Sequence, residues 1–121
     1  MPRPILDEGH IHPAVREGIA NYGAQIVREV QAAVAANAIV VVGMAQNPFP
    51  RKARKLLDER GLTYQYLEYG SYLGGWRRRT ALKMWTGWQT FPMVFVKGVL
   101  VGGAKELAKV LESGELAGPR A

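Results

Sequence analysis

Thr90-Phe91-Pro92-Met93-Val94-Phe95-Val96-Lys97-Gly98-Val99-Leu100-Val101-Gly102-Gly103 is the stretch from which the fold is read. Two β-prone runs, 91–96 and 99–101, flank the pair Lys97-Gly98, which is the spacing of an antiparallel hairpin with a two-residue turn. Beyond the glycine pair, Ala104, Leu107, Ala108 and Leu111 recur at helical steps, so a helix with one buried stripe follows and stops at Gly114. Upstream, residues 38–43 form an unbroken β-branched run of the kind found in a central strand buried on both faces.

Between these two anchors the pattern alternates. Asn47 suits a helix N-cap and Pro48 the first helical position, and Phe49, Ala53, Leu56 and Leu57 give that helix an apolar face ending at Gly61. Residues 63–69 are β-prone, so the strand before that helix and this one should run parallel through a right-handed crossover. A glycine-rich connection over 70–75 leads to a third helix, for which Trp76, Thr80 and Met84, with Ala81 and Trp85, are expected on the inner side. Ahead of everything, Pro13 opens a helix whose stripe of Val15, Ile19, Tyr22, Ile26, Val30 and Val34 reaches about Ala36, weakened by Gly18 and Gly23. The expected organisation is an irregular leader over 1–12, a helical extension over 13–36, one domain over 38–116 and a flexible tail over 117–121.

Composition closes off several functions. The chain has 121 residues and no cysteine, so there is no disulfide, no thiolate nucleophile and no sulfur ligand for zinc or an iron–sulfur cluster. Both histidines, His10 and His12, lie in the leader, which leaves the domain without an imidazole base or ligand. The start of the chain carries acidic residues and prolines where a secretory leader needs a basic end and an apolar run, and no apolar stretch is long enough to span a bilayer. A cytoplasmic protein with no membrane association is expected. The formal net charge of +6 favours weak attraction to polyanions.

The β-α-β unit, the linking helix, Thr90-Phe91-Pro92 opening a hairpin, and Gly102-Gly103 before a last helix together resemble the glutaredoxin family. Residues 96–103 are close to the hairpin of its single-cysteine members, and Ser113-Gly114-Glu115-Leu116 matches the family's usual ending. The resemblance implies an α/β thioredoxin-like fold: a four-stranded mixed β-sheet flanked by helices, here with an extra N-terminal helix. It also implies a cis peptide bond before Pro92. The departure lies at the catalytic loop, where the family has Cys-Pro-Tyr-Cys or Cys-Gly-Phe-Ser and this chain has Asn47-Pro48-Phe49-Pro50. Asparagine keeps the capping role and drops the nucleophile, so no oxidoreductase activity is expected.

By the same resemblance, a groove for glutathione or an extended peptide falls to Asn47, Phe49, Arg51, Gln89, Thr90, Phe91, Pro92, Gly102, Gly103 and Glu106. Phe91 would pair its main chain with the ligand, and the amides of Phe49 and Arg51 would face an anion. Two charges are lost: the family's lysine is matched by Met44, and the acidic residue after the glycines by Lys105, with Glu106 one step further. Glutathione is therefore expected to bind weakly, with no other cofactor. Trp88, beside the Thr90-Phe91-Pro92 loop, is the best candidate for a ligand contact if exposed.

The leading expectation is a non-catalytic binding module for a protein or peptide partner. One alternative is binding of an anion or nucleic acid through Arg51, Lys52, Arg54, Lys55 and Arg77 to Arg79, with Tyr69, Tyr72, Trp76, Trp85 and Trp88 interleaved for stacking. Another is a homodimer assembled through the N-terminal helix.

Overall fold

A computed structural model describes residues 3–114. The expected tail over 117–121 and the last two residues of the 113–116 match lie outside the described residues. The strands are β1 (Ile39–Gly43), β2 (Gln65–Glu68), β3 (Met93–Val96) and β4 (Val99–Gly102), and the helices are α1 (Pro13–Asn21), α2 (Ala24–Ala36), α3 (Pro48–Glu59), α4 (Trp76–Thr86) and α5 (Ala104–Glu112). A short 3₁₀ turn over Glu8–His10 precedes α1.

The sheet has the order β2-β1-β3-β4. β1 is parallel to β2, with Val41 opposite Tyr66, and antiparallel to β3, with Val41 opposite Val94. Every residue of β1 is buried, as its β-branched run implies, because successive side chains of a central strand enter opposite cores. Val40 and Val42 join Met93 and Phe95 beneath α2 and α4, which contribute Ile26, Val30, Ala33, Ala81 and Leu82. Ile39 and Val41 join Val94 and Val96 beneath α3 and α5, which contribute Ala53, Leu57, Ala104, Leu107 and Leu111. The hairpin turns at Lys97 and Gly98, both with positive φ, the conformation a primed two-residue turn demands.

Three expectations change. The single helix over 13–36 is two helices, because Gly23 stands at φ 63° and the chain turns there. A Cβ at Gly23 would collide with Ala81 Cβ, so the break is also where α2 meets α4. α2 enters the core, whereas α1 buries no residue: Val15, Ile19 and Tyr22 stay exposed. On α4 the inner side is Ala81 and Leu82, with Trp85 stacked on Phe95 at 6.0 Å, while Trp76 and Met84 point outward. On α3, Ala53 and Leu57 face the sheet as expected, but Phe49 is 57% exposed, and Pro50 takes the buried position at that end.

Candidate functional site

The C-terminal end of β1 and the start of β3 leave the same edge of the sheet, since Val42 is opposite Met93. This brings the loop before α3 next to the loop ending at Pro92. The Phe91–Pro92 bond is cis, as the resemblance implies. The ladder to β1 ends at Met93, so Phe91 lies beyond the last paired residue. Phe91 and Pro92 are buried, and Gln89 and Thr90 are exposed.

At the start of α3, Asn47 is the N-cap: the Phe49 N–H donates to Asn47 Oδ1 at 2.9 Å. Pro48 and Pro50 have no N–H to offer. Of the donors that make a helix N-terminus attractive to anions, two are therefore missing and one is already used. This corrects the expectation that the Phe49 amide faces an anion. Arg51 is the first residue far enough along for an intrahelical acceptor, so its amide is no natural anion donor either. Pro50 packs closely under β1: a Cβ on Gly43 would lie 2.7 Å from Pro50 Cβ and 2.8 Å from the Tyr66 hydroxyl. The position of the family's second cysteine is thus a packing contact.

The opposite wall is closed by its own residues. The Gly103 N–H donates to Glu106 Oε1 at 3.0 Å, so the carboxylate nominated for a ligand amine instead holds the N-terminus of α5. Trp88 is half-buried against the core and lies across the glycine pair. A Cβ on Gly102, where φ is 112°, would meet Trp88 Cη2 at 3.2 Å, and one on Gly103 would stand 3.5 Å from the Pro92 carbonyl oxygen. Gly102, Gly103, Pro92, Trp88 and Glu106 therefore meet as one wall, with Trp88 a part of it and not a free contact. Its indole Nε1 is buried with no hydrogen-bond partner. Met44, at the place of the family's lysine, is buried in the core beneath α2 and α4.

Two segments that build this edge carry charge of one sign. From Val30 to Leu57 the charged residues are Arg51, Lys52, Arg54 and Lys55, and from Tyr69 to Lys105 they are all basic as well. Some of these cations have structural tasks. The Arg54 guanidinium sits 4.1 Å above the Tyr66 ring, and Arg79 Nη1 donates to the carbonyls of Tyr69 at 3.1 Å and Gly74 at 2.9 Å. Arg51, Lys52, Lys55, Arg77 and Arg78 remain exposed.

Two phenols near the site are pushed up. Burial, reinforced by a hydrogen bond to Glu68 at 2.9 Å, raises Tyr66 to about 12. Burial and a hydrogen bond to Glu29 raise Tyr69 further. Both stay protonated near neutrality and neither can act as a base there.

Sequence reasoning missed the 70–75 connection, treated there as a plain link. Its signal is an apolar pair, Tyr72-Leu73, set between glycines at 70, 74 and 75. The Ala45 N–H donates to the Gly70 carbonyl at 2.8 Å, which joins this loop to the one before α3.

Sheet order, helix placement and the cis proline define a thioredoxin-like protein. Among solved structures the chain resembles the buckwheat glutaredoxin–glutathione complex, with 28% identity, a TM-score of 0.69, and coverage of 78% of this chain and 86% of that one. It also resembles oxidized glutaredoxin 2 of Chlamydomonas reinhardtii, with 28% identity, a TM-score of 0.66, and coverage of 78% and 89%. A family profile described as Glutaredoxin matches residues 39–101. A glutaredoxin-like protein of Dictyostelium discoideum is 46% identical over 98 residues, 81% of this chain and 80% of that protein. A glutaredoxin of Ricinus communis is 35% identical over 83 residues, 69% of this chain and 81% of that protein. The chain belongs to the glutaredoxin family, and it has no cysteine. Among the described residues no helix is long and apolar enough to cross a membrane.

Proposed function

We propose that this chain is a non-catalytic binding module that takes an extended peptide segment at the edge where a glutaredoxin carries its active site. The observation that carries the reading is the role of Asn47: it caps α3 in the nucleophile's place, so the loop geometry is kept while the sulfur is gone. Thiol–disulfide exchange needs a thiolate, and without one no turnover is expected. The main chain beside Pro92 lies past the end of the β1–β3 ladder, the position from which an extended ligand can add as a strand.

Glutathione suits this edge poorly. The buckwheat relative is described in complex with glutathione, but here Met44 is buried, Glu106 is engaged with Gly103, and the Phe49 amide is engaged with Asn47. Each lost charge-assisted contact removes about 1.5–3 kcal/mol. A longer peptide gains affinity from main-chain pairing and does not need those charges.

Amide NMR with reduced glutathione and with a tripeptide-extended analogue tests the reading. Shifts at Gln89, Phe91, Gly103 and Ala104 that saturate at lower concentration with the longer ligand support it; equal silence with both removes the groove as a binding site. Turnover of a glutathione mixed disulfide above that of heat-killed protein overturns the non-catalytic part.

A second reading, self-association, is favoured by the uncovered stripe of α1, where Val15, Ile19 and Tyr22 stand exposed beside Met84. Sedimentation equilibrium decides it: a dimer that Ile19→Glu converts to monomer supports the reading, and a wild-type monomer at high concentration removes it.

A further inference from the structure

The loop between β2 and α4 displays apolar side chains on a rigid frame. Tyr72 is 65% exposed, Leu73 91% and Trp76 58%. The Ser71 N–H donates to the Gly74 carbonyl at 2.9 Å and the Gly74 N–H returns to the Ser71 carbonyl at 3.3 Å. The Leu73 N–H donates to Ser71 Oγ at 3.1 Å, so the tip is held by its own side chain as well. At the neck, Gly70 and Gly75 approach so closely that a Cβ on Gly70 would lie 2.8 Å from Gly75 Cα. Arg79 fastens that neck through the carbonyls of Tyr69 and Gly74. Exposed apolar residues on a loop with this many internal bonds are presented, since nothing about the loop lets them fold inward.

The charge along this segment is of one sign: no acidic residue occurs between Glu68 and Glu106. Of the nearby carboxylates, Glu68 is engaged with the Tyr66 hydroxyl, and Glu29, which lines a hollow with Arg78, is engaged with the Tyr69 hydroxyl. Arg77 lies 5.2 Å from the Trp76 ring, and Arg78 is exposed on the next residue. Such a surface selects against basic partners and speeds encounter with acidic ones.

We propose that residues 71–78 form a docking platform for an acidic protein segment bearing an apolar anchor. Tyr72, Leu73 and Trp76 receive the anchor, and Arg77 and Arg78 meet its flanking carboxylates. A nucleic acid fits less well: the most exposed of the three apolar side chains is Leu73, an aliphatic group on which a base does not stack, and one face of Trp76 is covered by Arg77. The platform goes beyond the groove reading and stands whether or not the groove is used.

The test is fluorescence anisotropy with a labelled Glu-Glu-Leu-Phe-Glu-Glu peptide, its Gln-for-Glu version, an all-glutamate peptide and a uridine oligonucleotide, followed by amide NMR with the first. Expected are saturable binding of the first peptide, about tenfold weaker binding of the two control peptides, and a similar loss in Leu73→Ser and in Arg77→Glu. Amide shifts should fall within residues 71–78. The proposal is overturned by absence of binding, by affinity unchanged in both variants, or by an oligonucleotide that displaces the peptide. Shifts confined to residues 89–93 overturn the platform and leave the groove standing, whereas shifts confined to 71–78 support the platform and leave the groove to its own titration.

Discussion

Glu106 accepts a hydrogen bond from the Gly103 amide at 3.0 Å, and this one contact turns a nominated ligand group into part of the frame of α5. The energetic consequence is direct. Glu106→Ala should destabilise the protein by about 1 kcal/mol, within the range of a lost helix cap, and Glu106→Gln, which keeps an acceptor oxygen, by markedly less. Urea unfolding of the three proteins checks the order.

Asn47 is subject to the same reasoning at α3. Asn47→Ala should cost about 0.5–2 kcal/mol, and Asn47→Asp or Asn47→Ser should retain most of the stability, because each keeps an oxygen for the Phe49 amide. Equal losses in all three variants, read from denaturant midpoints, would mean that the side-chain cap is not what stabilises this end of the helix.

Gly23, at the start of α2, packs against Ala81 of α4. Gly23→Ala combines a positive φ of 63° with a collision against Ala81, and the expected loss is about 2–4 kcal/mol. Gly114→Ala, also at positive φ but with open space around it, should cost no more than about 1 kcal/mol. The difference in thermal midpoint between the two variants separates packing from backbone strain.

Alkaline pH should weaken the fold through its buried phenols. The folded-state value of Tyr66 is about 12 against an ordinary 10.0, so its stabilising contribution is complete below pH 10.0 and falls away as pH rises through about 12. Tyr69, raised in the same direction, adds to the same loss. Denaturant midpoints should therefore decline above pH 10.0, and Tyr66→Phe should decline less steeply. Phenolate absorbance gives an independent check, with Tyr66 and Tyr69 ionising late.

Trp88 carries a buried indole N–H with no partner. Removing that donor recovers part of what an unsatisfied buried group costs, about 1–3 kcal/mol, and so offsets the lost packing. Trp88→Phe should change stability by less than about 1 kcal/mol, whereas Trp88→Ala, which leaves a cavity over Gly102 and Gly103, should cost about 3–5 kcal/mol. Calorimetric unfolding of both variants distinguishes them.

What was legible in the chain was what neighbours in sequence decide. The buried run of β1, the cap and proline at the start of α3, and the Lys97-Gly98 turn each follow from side-chain branching, a missing N–H or a demanded φ within a few residues. The cis bond before Pro92 was legible only through the family resemblance. The missing thiolate was legible too, since a chain without cysteine has none in any conformation.

The outcomes that needed the tertiary structure all concern which surface faces which. A stripe at helical spacing looks the same whether it meets a sheet or water, so the sequence could not tell that Ile26, Val30 and Ala33 enter the core while Val15 and Ile19 stay outside. The same degeneracy rotated α4, leaving Trp76 and Met84 exposed and Leu82 buried. The Glu106–Gly103 bond is local, a capping-box contact three residues apart that the sequence reading passed over, whereas Trp88 lies across the glycine pair because the segment after α4 and the end of β4 come together in the fold. Sequence by itself determined much of the local geometry and the absence of any cysteine. Only the tertiary structure decided which stripes are buried and which distant side chains meet, because that depends on contacts between segments that periodicity does not encode.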